Sequence, residues 1–227
     1  QTKLTLSSQL EDGENLGPQI RMMIDVAPQS MVAVDLSLQK DHENRPTMLI
    51  VPGLTDSSSS PDVVRFGIDG FKSGFNIAAL NLRGQGGTEK YSKTTYHAGL
   101  TEDIRTVLSH LVEKGLDNFY FLGLSLGGNM LLKAVGEDTD EIRKHVKGAA
   151  VVSSPIDLVS NSDFIESSPF RDPILAGLKQ SAKRMMKAHK GEWGSVETWM
   201  AIDSIKKWDD EYVAKRWGFK NADEYYK

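Results

Sequence analysis

Gly123-Leu124-Ser125-Leu126-Gly127, with Gly128 next, sets a serine between glycines two positions away on either side. As a bare string this is a weak signal, because two glycines around a serine arise often by chance. Its setting gives it weight. The apolar run Phe119–Leu122 precedes it, and a stretch with helical patterning, Leu126 to about Val135, follows. A strand that turns this sharply into a helix holds the serine at strained backbone angles, and bulk two residues away would not fit. The turn lifts the hydroxyl above the carboxyl edge of a sheet, at a helix amino end that favours negative charge. Such a hydroxyl suits nucleophilic attack on a carbonyl carbon, with Ser125 as the catalytic candidate. The oxyanion formed on attack needs donors. One candidate is the backbone N–H of Leu126, the residue after the serine. The other is the N–H of Leu54, in Val51-Pro52-Gly53-Leu54-Thr55, where Gly53 lets the chain turn tightly after a preceding strand. The plain alternative for either segment is a glycine turn with no chemical use.

The elements that must position these residues follow a repeated theme. Ile20–Val26 and Met31–Leu38 read as an antiparallel pair at a sheet edge, separated by Pro28, Gln29 and Ser30, after a polar entry segment over 1–18. Asp41–Arg45 reads as a charged turn. Thr47–Val51, Phe75–Leu80, Phe119–Leu122 and Ala149–Val152 are short continuous apolar runs, as strands buried on both faces require. Between them lie helix-like stretches: Pro61 to about Lys72, then one capped by Thr101 with Ile104, Val107, Leu108 and Leu111 on a single face, then Leu126 to Val135. Strands alternating with helices predict a mostly parallel sheet with helices on both faces. From about 157 to 227 the pattern is helical only, and all four tryptophans fall there, Trp193, Trp199, Trp208 and Trp217. The expected organisation is a core over 1–156 and a helical lid over 157–227. Large apolar groups in such a lid suit either an acyl-chain channel or packing of the lid against the sheet, the simpler use for any one tryptophan.

Composition removes several classes of function. With no cysteine in 227 residues, disulfides, thiol catalysis and cysteine-ligated metals are out. Five scattered His without ligand spacing give no metal site, and no cofactor is implied. A formal net charge of −4 offers nothing to attract nucleic acid. No run approaches the roughly 18 apolar residues of a membrane helix. The chain begins with Gln1, so an upstream anchor would not be visible. A cytoplasmic or membrane-associated setting is the expectation.

Further segments make a likeness specific. Pro52–Thr55 with Ser57–Pro61, Asn81-Leu82-Arg83-Gly84-Gln85-Gly86-Gly87, Tyr96-His97-Ala98-Gly99 with Thr101-Glu102-Asp103, and the serine turn continuing into Asn129-Met130-Leu131 occur in order. Ser153–Leu158 and the tail from Asp209-Asp210 through Gly218-Phe219 to Asp223–Tyr226 follow. The chain from about 45 to its last residue thereby resembles the YheT-like branch of α/β-hydrolases, the AB hydrolase 4 family. Pro52 stands where many members have His, a His that is not the catalytic base. The resemblance implies an α/β-hydrolase fold with a helical lid after the fourth parallel strand. It implies a serine hydrolase acting on a small-molecule acyl ester or lipid through an acyl-enzyme. Members include carboxylesterases, monoacylglycerol lipases, phospholipases and medium-chain ethyl-ester synthases. An acyltransferase on the same scaffold and a non-catalytic binding protein remain as alternatives.

A serine nucleophile needs a His base and a carboxylate to orient it, in the chain order Ser, then Asp or Glu, then His. The resemblance places both on strands after the helical segment, and no such strand is legible before Lys227. The His after Ser125 are His145, beside Arg143, Lys144 and Lys147, and His189, in the basic run Lys183–Lys190; both read as solvated surface residues. His97 lies in a loop beyond a strand's carboxyl end, where its place in a motif argues for a structural or substrate-side role. Asp157 after Ser-Pro-Ile reads as a cap or turn. The expectation is an incomplete hydrolase lacking its last core strands, acid and base, inactive by itself, with Ala149–Val152 left as an uncovered, self-associating edge.

Overall fold

A computed structural model describes residues 5–6, 16 and 19–227 of the chain. Most of the predicted entry segment lies outside the described residues. Two compact units result, Gln1–Ser154 and Pro155–Lys227. The division falls two residues before the expected boundary.

The first unit is a seven-stranded sheet in the order β1-β2-β3-β5-β4-β6-β7. β1 (Thr5–Leu6), within the stretch read as an entry loop, pairs antiparallel with β2 (Gln19–Ala27). β2 and β3 (Ser30–Ser37) form the expected antiparallel pair, turned at Gln29 with φ 55°. β3 then runs antiparallel to β5 (Asn76–Asn81). β4 (Thr47–Val51), β5, β6 (Phe119–Leu124) and β7 (Val146–Val152) are mutually parallel. The predicted charged turn before β4 is a single 3₁₀ turn, His42–Asn44.

Alternation along the central strands explains why their sequences are apolar throughout. Ile50, Ile77, Ala79, Leu122 and Leu124 pack against Val63 and Phe66 of α1 (Pro61–Lys72). Their neighbours Leu49, Val51, Ala78 and Leu80 are equally inaccessible, so both faces are covered. α2 (Glu102–Glu113) buries the predicted stripe Ile104, Val107, Leu108 and Leu111. Thr101 stands at the cap position, yet its hydroxyl does not cap the helix. It bonds Glu137 Oε2 at 2.7 Å, just past α3 (Leu126–Gly136). α4 (Asp140–His145), a short polar helix not foreseen from the sequence, leads into β7.

From β4 the chain crosses by α1 to β5 on one side, then returns by α2 to β6 on the other. The strand order therefore reverses between β4 and β6, where the loops leaving their carboxyl ends diverge and leave a crevice. β7 pairs with β6 alone among the described residues, and Ala149, Ala150 and Val152 are exposed, as expected of an uncovered edge.

The second unit contains only helices: α5 (Leu158–Glu166), α6 (Arg171–Ala188), α7 (Val196–Met200), α8 (Ile205–Trp208), a π-helical turn Asp209–Ala214, α9 (Lys215–Trp217) and α10 (Ala222–Tyr225). Its core is aromatic. Trp193, Trp199 and Trp208 are buried around Tyr212, with Trp208 stacked on the Tyr212 ring at 4.5 Å between centroids. Asp157 caps α5, accepting from Ser160 N at 3.0 Å and Ser160 Oγ at 2.7 Å, the role its sequence context suggested. Among the described residues no helix is long and apolar enough to cross a membrane.

Candidate active site

β6 stays extended through Gly123 and Leu124, and the chain then breaks at Ser125, with φ 49° and ψ −122°. That is the strained region a non-glycine residue enters only when its surroundings force it. The force is visible. Ser125 N donates to Val152 O of β7 at 2.8 Å, and Ser125 O accepts from Gly128 N at 2.9 Å and Asn129 N at 3.2 Å, starting α3. The residue is exposed, not enclosed in the core.

Each small residue of the turn has an identifiable contact. A Cβ on Gly127 would sit 2.3 Å from Pro52 O and 2.4 Å from Val51 O, so the first turn of α3 rests on the carboxyl end of β4. A Cβ on Gly123 would meet the Gly128 backbone at 2.4 Å, and one on Gly128 would meet Ser154 Oγ at 1.7 Å. The loop after β4 approaches the serine itself: a Cβ on Gly53 would be 3.3 Å from Ser125 Cβ. Leu54 therefore belongs to a segment lying against Ser125, and Leu126 follows it directly. Among the described residues neither the Leu54 nor the Leu126 N–H has a hydrogen-bond acceptor.

The loop after β4 is fixed from behind by residues whose roles the sequence did not reveal. Thr55 has φ 65°, and its N–H donates to Tyr96 Oη at 2.7 Å. Ser58 N donates to Asn81 Oδ1 at 2.9 Å, and Ser58 Oγ to Asp35 Oδ2 at 2.5 Å. Asp35 also accepts from Asn81 Nδ2 at 3.0 Å and from Arg21 at 2.7 Å through both of its oxygens. Burial works to raise the Asp35 pKa, but the Arg21 guanidinium and the Ser58 and Asn81 donors outweigh it and hold the carboxyl below its ordinary value. Arg83 reaches Asp103 at 2.7 Å and Thr94 at 2.9 Å, tying the loop after β5 to α2. The motifs Asn81–Gly87 and Tyr96–Gly99 were the available signal, although nothing in them said what they would touch.

Among the described residues no histidine is hydrogen-bonded to Ser125. His97 is held by Gly99 N–H donating to its Nδ1 at 3.1 Å, which leaves the proton of the neutral ring on Nε2. Burial pushes its pKa down to about 4, with Arg83 and Lys133 adding to the effect and Glu102 opposing it. The ring lies beside Gly99, whose added Cβ would also approach Lys133 Cε at 3.7 Å. Lys133 is two turns along α3 from Ser125, about 12 Å of helix rise. His145 departs from expectation. It is 8% exposed, and its Nδ1 bonds Asp117 Oδ1 at 2.8 Å. The neighbouring charges suggested a surface role, but α4 turns the His145 side chain inward at the end of the sheet remote from Ser125. His189 is half-buried at the carboxyl end of α6. Among the described residues no His or carboxylate is hydrogen-bonded to the Ser125 hydroxyl, and no group of three or more side chains could hold a metal.

An exposed serine on a strained strand–helix turn, at the reversal point of a mixed sheet, defines the α/β-hydrolase class, and the sequence comparisons agree. The chain belongs to the alpha/beta hydrolase fold family, whose model matches residues 46–195. It is 28% identical over 205 residues to a monoacylglycerol lipase of Saccharomyces cerevisiae, covering 85% of this chain and 45% of that protein. It is 27% identical over 196 residues to phospholipase ABHD3 of Bos taurus, covering 82% of this chain and 46% of the relative. A medium-chain fatty acid ethyl ester synthase/esterase 2 of S. cerevisiae is 24% identical over 244 residues, covering 96% and 52%. The chain thus spans about half the length of the curated relatives it matches. An esterase of Pyrococcus furiosus shares the fold, with a TM-score of 0.53 at 14% identity over 75% of this chain and 79% of that one.

Proposed function

We propose that this chain carries the nucleophile and oxyanion half of a serine hydrolase of the AB hydrolase 4 branch, acting on carboxylic esters of lipid type. The observation that carries the reading is Ser125, exposed at φ 49° with Gly53 of the preceding loop against it. In this reading Ser125 Oγ attacks the ester carbonyl carbon as a base takes its proton. The Leu54 and Leu126 N–H groups receive the oxyanion, the alcohol leaves, and water releases the acid from the acyl-enzyme. The base and the carboxylate that orients it are left unassigned in this proposal, because among the described residues none is hydrogen-bonded to Ser125. The lipase and phospholipase names of the relatives support a lipid ester as the substrate class. The helical segment from 157 takes the part of a lid, and no metal or cofactor enters the reaction.

A fluorophosphonate probe applied to the full-length protein labels Ser125 and fails on Ser125→Ala. An unlabelled wild type overturns the proposal in favour of a non-catalytic member of the fold. The ester synthase/esterase relative supports a second reading in which an alcohol replaces water at the acyl-enzyme. Product analysis with added ethanol separates the two: a new ethyl ester means transfer, and free acid alone means hydrolysis.

A further inference from the structure

Thr55 is a β-branched residue at φ 65°, a backbone state that costs such a residue more than almost any other. An outlier of this kind persists only where its surroundings over-determine it. The hydrogen bond to Thr55 itself comes from one hydroxyl. Tyr96 Oη accepts the Thr55 N–H at 2.7 Å, and the Tyr96 side chain is buried, so the oxygen is fixed in space. One residue earlier, the Leu54 N–H has no acceptor among the described residues. The turn 53–55 therefore presents two consecutive amides, one committed to Tyr96 and one left open beside Ser125. On the far side of the same loop, Asn81 Oδ1 and Asp35 hold Ser58. Asn81 is itself locked, because Gly86 lies so close that a Cβ there would fall 1.8 Å from Asn81 Oδ1.

We propose that Tyr96 is a positioning residue for the reaction: its hydroxyl holds Thr55 left-handed and thereby decides that the Leu54 amide, not its neighbour, serves the oxyanion. The proposal rests on the serine-hydrolase reading above and deepens it. It gives the motif Tyr96–Gly99 a task, with the Asn81–Gly87 motif as the second anchor of the same loop. Without the Tyr96 oxygen, Thr55 relaxes to an ordinary negative φ, the whole turn 53–55 changes shape with it, and the Leu54 N–H, carried on the adjoining 53–54 peptide, leaves the line to the developing charge.

The test uses Tyr96→Phe in the full-length protein, which keeps the buried ring and removes the hydroxyl that accepts the Thr55 N–H. The expected result is a kcat lowered by about ten- to a hundredfold, between the worth of one hydrogen bond and that of a whole oxyanion donor. KM stays within about twofold, because the ground-state ester does not draw on the donor. Affinity for a trifluoromethyl ketone, whose adduct on Ser125 carries the same oxyanion, falls in step with kcat. Affinity for the fatty-acid product does not. Adding Thr55→Gly to Tyr96→Phe restores most of kcat, since glycine takes positive φ without help. The proposal is overturned if Tyr96→Phe keeps wild-type kcat. It is equally overturned if kcat falls while ketone affinity is unchanged, or if Thr55→Gly restores nothing. Failure of the underlying reading looks different: the wild-type enzyme itself would then form no adduct at Ser125.

Discussion

Gly127 and Gly128 sit side by side at the start of α3, and the structure predicts that adding one methyl group to each has different consequences. At Gly127 the new Cβ meets Pro52 O at 2.3 Å, Val51 O at 2.4 Å and Val51 C at 2.8 Å, all main chain of the central strand and its loop. None can rotate away, so α3 must lift from β4 by roughly 0.7 Å or more, an overpacking expected to cost about 2–3 kcal/mol. At Gly128 the worst contact is Ser154 Oγ at 1.7 Å, with Ser154 Cβ at 2.9 Å and Gly123 O at 3.1 Å. Ser154 Oγ is buried with no hydrogen-bond partner, so moving or deleting it sacrifices nothing. Gly128→Ala should therefore cost about 1–2 kcal/mol. Ser154→Gly should recover about 1 kcal/mol of that, as a coupling in a double-mutant cycle. The same Ser154→Gly change should not help Gly127→Ala. Urea titrations at constant m-value measure all four stabilities. Equal losses at the two glycines, or equal rescue of both by Ser154→Gly, would refute the packing argument.

Two further outcomes follow from the same coordinates. Ser125→Gly, although it removes the proposed nucleophile, should stabilise the protein by about 0.5–1 kcal/mol over Ser125→Ala, because φ 49° with ψ −122° is open only to glycine without strain; equal melting temperatures for the two variants would remove the strain from the account. His97 is depressed to about 4 from 6.5 by burial, so the stability held by its neutral ring is present above pH 6.5 and lost as pH falls from 6.5 through 4. His97→Gln should flatten that limb of the stability profile, and an unchanged profile would mean that the imidazole is not desolvated.

What the sequence made legible was local. Thr47–Val51 and Pro61–Lys72 have the bounds read from an apolar run and a proline at a first helical position. β6 ran two residues past its apolar run because Gly123 and Leu124 remain paired to β7 right up to the break at Ser125. Asp140–His145 escaped notice because a one-and-a-half-turn polar helix has no periodic stripe to show. His145 was misplaced for a related reason: three basic neighbours dominate its sequence context, while the carboxylate it bonds, Asp117, is 28 residues away. Thr101 has the sequence of a cap, but Glu137, just past the next helix, takes its hydroxyl. The support of the loop after β4 was illegible for the same cause. Asp35 and Ser58, Ser58 and Asn81, and Thr55 and Tyr96 meet only because the sheet order brings β3, β5 and β4 into register.

Ser125 and Thr55, two of the strained residues of the site, lie in the loops of different strands at the reversal point, and each is held through its own N–H by an element outside its loop. Tyr96 holds Thr55, while Val152 O of β7 holds Ser125. β7 is the terminal strand of the described sheet and pairs only with β6. The orientation of Ser125, the proposed nucleophile, therefore depends on the register of a strand with one open edge among the described residues, whereas the Gly53 loop is anchored to the buried centre. A shift of β7 along β6 would carry Val152 O away from Ser125 N and let the serine relax toward an ordinary helix start, leaving the Gly53 loop where it was. Serine and donor can thus be uncoupled mechanically. A substitution that shifts the register of β7 would therefore act on Ser125 itself, through the hydrogen bond from its N–H to Val152 O.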